Sequence, residues 1–230
     1  MLNILSDTAK FTLVNEDPLK IIIRKEDKLN GELTELKKQD VIDQYIYSTL
    51  HASGSKPGVI YGLPKIHKEN TPLRPILSAI GTANYNISKF LVPKLKCLTT
   101  NVHTIHDTVS FLNTISNVPN ADQYFMASLD VTNLFQNVPL QETSNIILEA
   151  LFNNDSTVHG INKRQFKNLL DIATKDILFM FNDQTFKQID GVAMGSPLGP
   201  TLANISMSHF EEIWLRECPS EFKPAFYYRY

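Results

Sequence analysis

Hydrophobic residues follow two kinds of spacing along this chain, one typical of helices and one typical of strands. Apolar side chains recur every three or four positions in five stretches, at residues 33–50, at residues 86–98, and after Pro139, Asn162 and Pro200. Short apolar runs predict strands at residues 59–64, 73–78, 123–130, 179–188 (as a hairpin) and 225–230. Pro93 is expected to kink or restart its helix. This mixed order predicts an α+β fold with a largely antiparallel sheet.

The apolar run at residues 123–130 predicts a buried strand that ends at Asp130. An aspartate in this place either starts a turn or holds a metal ion, and the residue alone leaves both interpretations open. A tight turn over residues 131–134 would bring Phe135 close to whatever the carboxylate binds. Periodicity alone favours Phe135 as a residue of the hydrophobic core.

The segment Gly191-Val-Ala-Met-Gly-Ser-Pro-Leu-Gly-Pro200 is the strongest local motif. Its glycines allow a flat ligand to approach the main chain closely, and the helix predicted after it would present backbone N–H groups to an anion. No lysine follows the last glycine, so the segment is not a phosphate-binding loop of the Gly-x-x-x-x-Gly-Lys-Ser type. The alternative is a turn that opens a helix and has no further role.

Composition narrows the class of protein. The 230 residues are 43% hydrophobic and 20% charged, as in ordinary soluble globular proteins. No apolar run approaches the roughly 18 residues of a membrane span. The N-terminus lacks a basic leader, and Cys97 and Cys218 are isolated, which fits neither a zinc motif nor a disulfide framework. We therefore expect an intracellular protein, nuclear or cytoplasmic, with no membrane partner and with both cysteines reduced and buried.

Positive charge is concentrated in the middle of the chain, although the net charge is only −2. Against the single acid Glu69, residues 56–105 contain seven basic residues, Lys56, Lys65, Lys68, Arg74, Lys89, Lys94 and Lys96. Such segregation is typical of a polyanion-binding surface, and a solvated lysine-rich face is the alternative. Lys65 and Arg74 lie on proline-stiffened strands and are suited to hold phosphate oxygens. His67 lacks neighbouring metal ligands and is predicted to be a surface or positioning residue.

Taken in order, these segments resemble the reverse transcriptase of Penelope-like retroelements. Residues 61–68 with residues 73–76 resemble the fingers motifs of that family, and residues 128–139 resemble polymerase motif A. Residues 193–200 resemble motif B, and residues 226–230 resemble the lead-in to motif C. A telomerase-like polymerase shares this logic, but the first and the third of these motifs fit the retroelement better.

The resemblance implies a right-hand polymerase with fingers, a partial palm and a largely antiparallel palm sheet. Residues 1–55 would form a helical N-terminal extension, and residues 56–230 would form the reverse transcriptase domain. The implied activity is RNA-directed DNA polymerisation, in which dNTPs are added to a DNA primer along an RNA template. Asp130 would ligate two Mg²⁺ ions, with the Val131 carbonyl as a further ligand.

The resemblance also implies a nucleotide pocket. Its residues would be Lys65 and Arg74 on the triphosphate, Phe135 as the steric gate that excludes a 2′-hydroxyl, and Met194 and Gly195 along the template–nucleotide pocket. Met194 stands where many other reverse transcriptases have glutamine, so hydrogen bonding there is expected to differ. Motif C would place its acidic pair beyond Tyr230, and we expect the isolated chain to bind nucleic acid without polymerising. The alternative function is a non-catalytic nucleic-acid-binding remnant, and the sequence predicts no oligomeric state.

Overall fold

In the computed structural model of the chain, residues 2–66 and 68–230 are described. His67, predicted to be a surface or positioning residue, lies outside them. The strands are β1 (Phe11–Leu13), β2 (Gly58–Pro64), β3 (Leu73–Ser78), β4 (Thr157–Val158), β5 (Ile161–Asn162), β6 (Ile177–Phe181) and β7 (Gln184–Gln188). The helices are α1 (Leu2–Leu5), α2 (Pro18–Lys38), α3 (Gln44–Leu50), α4 (Tyr85–Leu95), α5 (Thr108–Ser116), α6 (Leu140–Phe152), α7 (Lys163–Thr174) and α8 (Gly199–Glu217).

Five strands form one sheet in the order β1-β7-β6-β2-β3. The pairs β1–β7, β6–β7 and β2–β3 are antiparallel, and only the short contact between β2 and β6 is parallel. The hairpin β6–β7 turns at Asn182 and Asp183, which both have positive φ, as this type of two-residue turn requires. The prediction of an α+β fold with a mostly antiparallel sheet is confirmed.

The helices form the larger of two hydrophobic cores. Helix α7 lies at its centre because it packs against α2, α4 and α6. Its start is set by Asn162, whose side chain accepts a hydrogen bond from the Gln165 backbone N–H in a reciprocal capping box, as predicted. The smaller core covers one face of the sheet, where Phe179 contacts the rings of Phe11 and Phe186 at centroid distances of 5.8 Å.

The stretch predicted as one helix at residues 33–50 is two helices. Helix α2 begins much earlier, at Pro18, and ends at Lys38. Asp40 then takes a left-handed conformation with φ of 55°, and the Asp43 side chain caps α3 by accepting from the Ile46 N–H. Apolar spacing continues across the break because both helices bury residues in the same core, so periodicity alone did not reveal it. The helix that contains Pro93 runs unbroken to Leu95, followed by one 3₁₀ turn.

Two predicted strands are wrong. Residues 124–130 form no strand and are exposed, with Phe125 94% and Leu129 90% accessible. Residues 225–230 contain only an isolated bridge between Arg229 and Thr104. A strand needs a partner for its backbone hydrogen bonds, and none of the described strands pairs with either segment. The cysteines are free, as predicted, but Cys97 is exposed and Cys218 is only half-buried.

The first 55 residues are mostly helical, but they also contribute strand β1 to the sheet. Phe11, Thr12 and Leu13 pair with β7, and α2 packs against α7. A connector without regular structure, residues 51–57, separates α3 from β2. No helix within the described residues is long and apolar enough to span a membrane.

Candidate active site

The glycine-rich segment, residues 191–200, lies between strand β3 and the turn that contains Phe135. The Leu77 backbone N–H donates to the Met194 carbonyl over 2.7 Å, so the segment pairs with the outer edge of β3. Gly195 has φ of +118°, and a Cβ there would lie 2.2 Å from the Leu77 carbonyl oxygen. A Cβ on Gly191 would lie 2.6 Å from the Gln136 carbonyl oxygen. These two glycines therefore admit neighbouring backbone of the same chain.

The residues of this segment are mostly buried, so the backbone N–H groups at the start of α8 are less open to an anion than the sequence predicted. Ser196, Leu198 and Gly199 at the start of α8 are buried, and the Gly199 N–H donates to the Ser196 carbonyl over 3.0 Å. Gly195 is exposed and Met194 half-buried. A ligand could therefore approach this segment only at Met194, Gly195, Pro197 and Pro200, which are exposed or half-buried.

Phe135 lies in a 3₁₀ turn, Leu134–Asn137, which we call the Phe135 turn. Asn133 precedes it in a left-handed conformation, and the Asn137 side-chain amide donates to the Thr132 carbonyl over 3.0 Å. The Val192 N–H donates to the Phe135 carbonyl over 2.7 Å.

The Phe135 ring is half-buried and packs against the helical core beside Gly199. One side of the ring therefore belongs to the core, and the rest remains accessible. The glycine-rich segment thus bonds to the Phe135 turn through Val192 and to β3 through Met194.

Lys65 and Arg74 lie on the hairpin formed by β2 and β3. Arg74 pairs with Leu63 in the register, and Lys65 follows β2 with its N–H donating to the Pro72 carbonyl over 2.9 Å. Because side chains alternate between the two faces of a strand, Leu63, Lys65 and Arg74 share a face. Leu63 is 47% accessible, so this face is open to solvent. The two cations are therefore diagonal neighbours, at a separation of roughly 7–8 Å between Cβ atoms.

Asp130 and Val131 are exposed at the start of the chain segment that leads to the Phe135 turn. Among the described residues, Asp130 makes no hydrogen bond or ion pair, so its carboxylate oxygens are available as ligands. No group of three or more His, Cys, Asp or Glu side chains within residues 2–66 and 68–230 is arranged to hold a metal ion. Asp130 therefore belongs to no such group in this part of the chain.

The basic middle of the chain is free of ion pairs in the part that the structure describes. All seven described ion pairs involve cations from other segments. Lys94 lies over the Phe90 ring at 4.3 Å and Lys89 over the Tyr85 ring at 5.5 Å. Burial lowers the pKa of Lys94. These positive charges are therefore not neutralised by acidic side chains of the described chain.

Sequence analysis missed a buried polar network that holds the last residues. Glu211 on α8 is fully buried and accepts from the Tyr227 hydroxyl over 3.0 Å and from the Asn101 amide over 3.0 Å. Arg229 Nε lies 2.7 Å from a Glu211 carboxylate oxygen. Burial, together with this carboxylate, raises the pKa of Tyr227 to about 12. The only signal in the sequence was a glutamate among the apolar positions of a helix.

Residues 66–230 match the model of a protein family described as reverse transcriptase (RNA-dependent DNA polymerase). The match covers more than two thirds of the 230 residues and includes strand β3 with Arg74, the Phe135 turn and the glycine-rich segment, and it begins just after strand β2 and Lys65. No curated protein matches the chain.

Proposed function

This chain belongs to the reverse transcriptase family of RNA-directed DNA polymerases, and we propose that it adds dNTPs to a DNA primer by two-metal nucleotidyl transfer. The observation that supports the proposal most is that the glycine-rich segment makes 2.7 Å hydrogen bonds both with the Phe135 carbonyl, through Val192, and with strand β3, through Met194. In this proposal the segment forms one wall of the nucleotide pocket, beside the exposed Arg74 and the half-buried Lys65 of the β2–β3 hairpin.

The chemistry of the donors at Asp130 fits Mg²⁺. The Asp130 carboxylate and the Val131 carbonyl are oxygen ligands, and Mg²⁺ is usually bound by one or two carboxylates together with substrate phosphates and water. Two such ions would neutralise charge on the attacking and leaving oxygens of the transfer. The contribution of the chain itself is to hold one exposed, unpaired carboxylate directly ahead of the Phe135 turn.

Replacement of Asp130 by asparagine keeps the size of the side chain and removes its charge. In the complete protein, we expect Asp130→Asn to reduce primer extension by at least about a hundredfold, because a metal ligand would be weakened. Asp155→Asn is the matched control, since Asp155 is exposed and lies outside the proposed site. Equal activity of the two variants would contradict the metal role of Asp130.

Phe135 is proposed to select the sugar. A ring fixed at its backbone by the Val192 N–H and at one side by Gly199 cannot move away from a 2′-hydroxyl without disturbing the core. Phe135→Val should therefore admit ribonucleotides, measured as a fall in the ratio of kcat/KM for a dNTP over kcat/KM for the matching rNTP. An unchanged ratio would contradict the role of Phe135 as a steric gate.

Lys65 and Arg74 are proposed to bind the incoming triphosphate. Their shared open face places a point charge and a planar guanidinium within reach of one polyphosphate. Arg74→Gln should raise the KM for dNTP about tenfold, the effect of losing one charge-assisted contact. The control is Arg164→Gln, at an exposed arginine in α7 that lies outside residues 56–105. A KM unchanged in Arg74→Gln would contradict the role.

The unpaired cations of residues 56–105 also support template and primer binding. Their contacts with phosphates would release counterions, so the affinity for an RNA–DNA duplex should fall linearly on a logarithmic salt scale. This observation equally favours the second candidate, a nucleic-acid-binding protein without polymerase chemistry. Salt-dependent binding with no primer extension in the complete protein would support that candidate. We further propose a retroelement of the Penelope-like type, acting in the nucleus or cytoplasm, from the motifs at residues 61–68 and 193–200.

A further inference from the structure

The N-terminal strand β1 reaches the Phe135 turn through one lysine. The Lys10 ammonium donates to the Gln136 carbonyl and, over 3.0 Å, to the Asn137 side-chain oxygen. These partners lie more than 120 residues away in the sequence. Among the described residues Lys10 makes no ion pair, so its charge is directed at the oxygens of the turn.

The backbone of Lys10 is itself fixed. Its carbonyl accepts from the Ile189 N–H over 2.8 Å, and the three residues that follow pair with β7. The side chain therefore extends from a rigid sheet edge, which sets the position of its ammonium. The hydrogen bonds from the Lys10 ammonium therefore fix the Phe135 turn relative to the sheet.

The Gln136 carbonyl is held from two sides. Lys10 contacts it on one side, and on another the Gly191 main chain approaches so closely that a Cβ would lie 2.6 Å from the oxygen. The next carbonyl back, that of Phe135, accepts from Val192. Without Lys10, one of the restraints on this turn is lost, while the ring and the glycine-rich segment stay unaltered.

We propose that Lys10 is a positioning residue that sharpens sugar selection by holding the Phe135 turn. The proposal rests on the proposed role of Phe135 as the sugar gate. Lys10 lies outside residues 66–230, the part that matches the family model. The inference therefore gives strand β1, in the N-terminal segment, a direct part in positioning the nucleotide site.

The test compares Lys10→Met, Lys10→Arg and Phe135→Val in the complete protein. The measured quantity is the ratio of kcat/KM for a dNTP over kcat/KM for the matching rNTP. Lys10→Met should lower this ratio about tenfold, the factor for one lost charge-assisted hydrogen bond. Lys10→Arg can still donate and should recover most of the ratio. Lys20→Met, at an exposed lysine at the start of α2, is the control and should leave it unchanged.

Hydrogen exchange gives a second readout that does not depend on catalysis. Lys10→Met should accelerate exchange of the Gln136 and Val192 amides, whose hydrogen bonds end at Asn133 and Phe135, relative to the control. Selectivity that falls in Phe135→Val but not in Lys10→Met would overturn this inference alone. Selectivity unchanged in Phe135→Val would overturn the gate and, with it, the role of Lys10. A lower ratio in Lys10→Met, restored in Lys10→Arg, would support the inference.

Discussion

A single methyl group at Gly195 tests whether the glycine-rich segment is held against β3 as the structure shows. In Gly195→Ala, the new Cβ would lie 2.2 Å from the Leu77 carbonyl oxygen. This is at least about 1 Å closer than carbon and oxygen atoms normally approach. The neighbouring atom is backbone in a paired strand, so it cannot turn aside as a flexible side chain would.

The magnitude follows from two contributions. An alanine held at φ of +118° is strained by about 2 kcal/mol, and displacement of the segment removes the Leu77–Met194 hydrogen bond, which contributes about 1 kcal/mol. We therefore expect Gly195→Ala to lower the free energy of unfolding by about 3 kcal/mol or more. Trp214 is the single tryptophan and lies on α8, so its fluorescence reports urea unfolding of the helix that follows the segment.

Alanine variants of two other glycines separate the strain of a positive φ from the close contact with Leu77. Gly81 also has positive φ, +81°, but nothing lies within 4 Å of its Cβ position, so Gly81→Ala should lose only about 1 kcal/mol. Gly31 is inside α2 with open space around it, and Gly31→Ala should gain about 0.5–1 kcal/mol. If Gly195→Ala unfolded at the same urea concentration as Gly81→Ala, the close contact with Leu77 would be refuted.

Three further predictions concern buried charges and titrating groups. Glu211→Ala should destabilise the fold by about 3 kcal/mol in urea unfolding, because Arg229 loses its buried partner. The control Glu212→Ala, at an exposed position, should stay within about 0.5 kcal/mol of wild type. Equal losses of stability in the two variants would refute the buried network around Glu211. Burial lowers the pKa of Lys25 from 10.5 to about 8. Between pH 8 and pH 10.5 the unfolded chain therefore binds more protons than the folded chain, so the free energy of unfolding should rise with pH in this range. Lys25→Met should remove this rise, of no more than about 3 kcal/mol, and an identical pH profile would contradict the burial of the ammonium. The pKa of Tyr227 near 12 predicts one late-titrating tyrosine in near-ultraviolet absorbance that disappears in Tyr227→Phe, and its persistence in that variant would assign it elsewhere.

Much of the secondary structure could be predicted because its causes are local. Asn162 caps α7 through its own side chain, and the turn at Asn182 and Asp183 follows from residues that tolerate positive φ. The break at Asp40 was missed, although Asp43 is a good cap, because apolar spacing continues through it. The cap at Asp43 was overlooked because α2 and α3 bury their apolar residues in the same core.

The site residues were predicted from motifs, but their surroundings were not. Met194 and Gly195 do lie against β3, and the Phe135 carbonyl bonds to the same glycine-rich segment, whereas the roles proposed for them and for Asp130, Lys65 and Arg74 remain predictions. The glycines were expected to admit a ligand, yet Gly191 and Gly195 first admit the chain's own carbonyl groups. No local pattern identifies which distant carbonyl a glycine will face.

The sequence by itself determined where most helices, caps and tight turns form, and it concentrated positive charge in residues 56–105. Only the tertiary structure decided that Lys10 reaches the Phe135 turn, that Arg229 pairs with buried Glu211, and that residues 124–130 stay exposed. The physical reason is the range of the interactions. A cap or a turn involves residues within a few positions, whereas a strand or a buried ion pair needs a partner that only folding brings near.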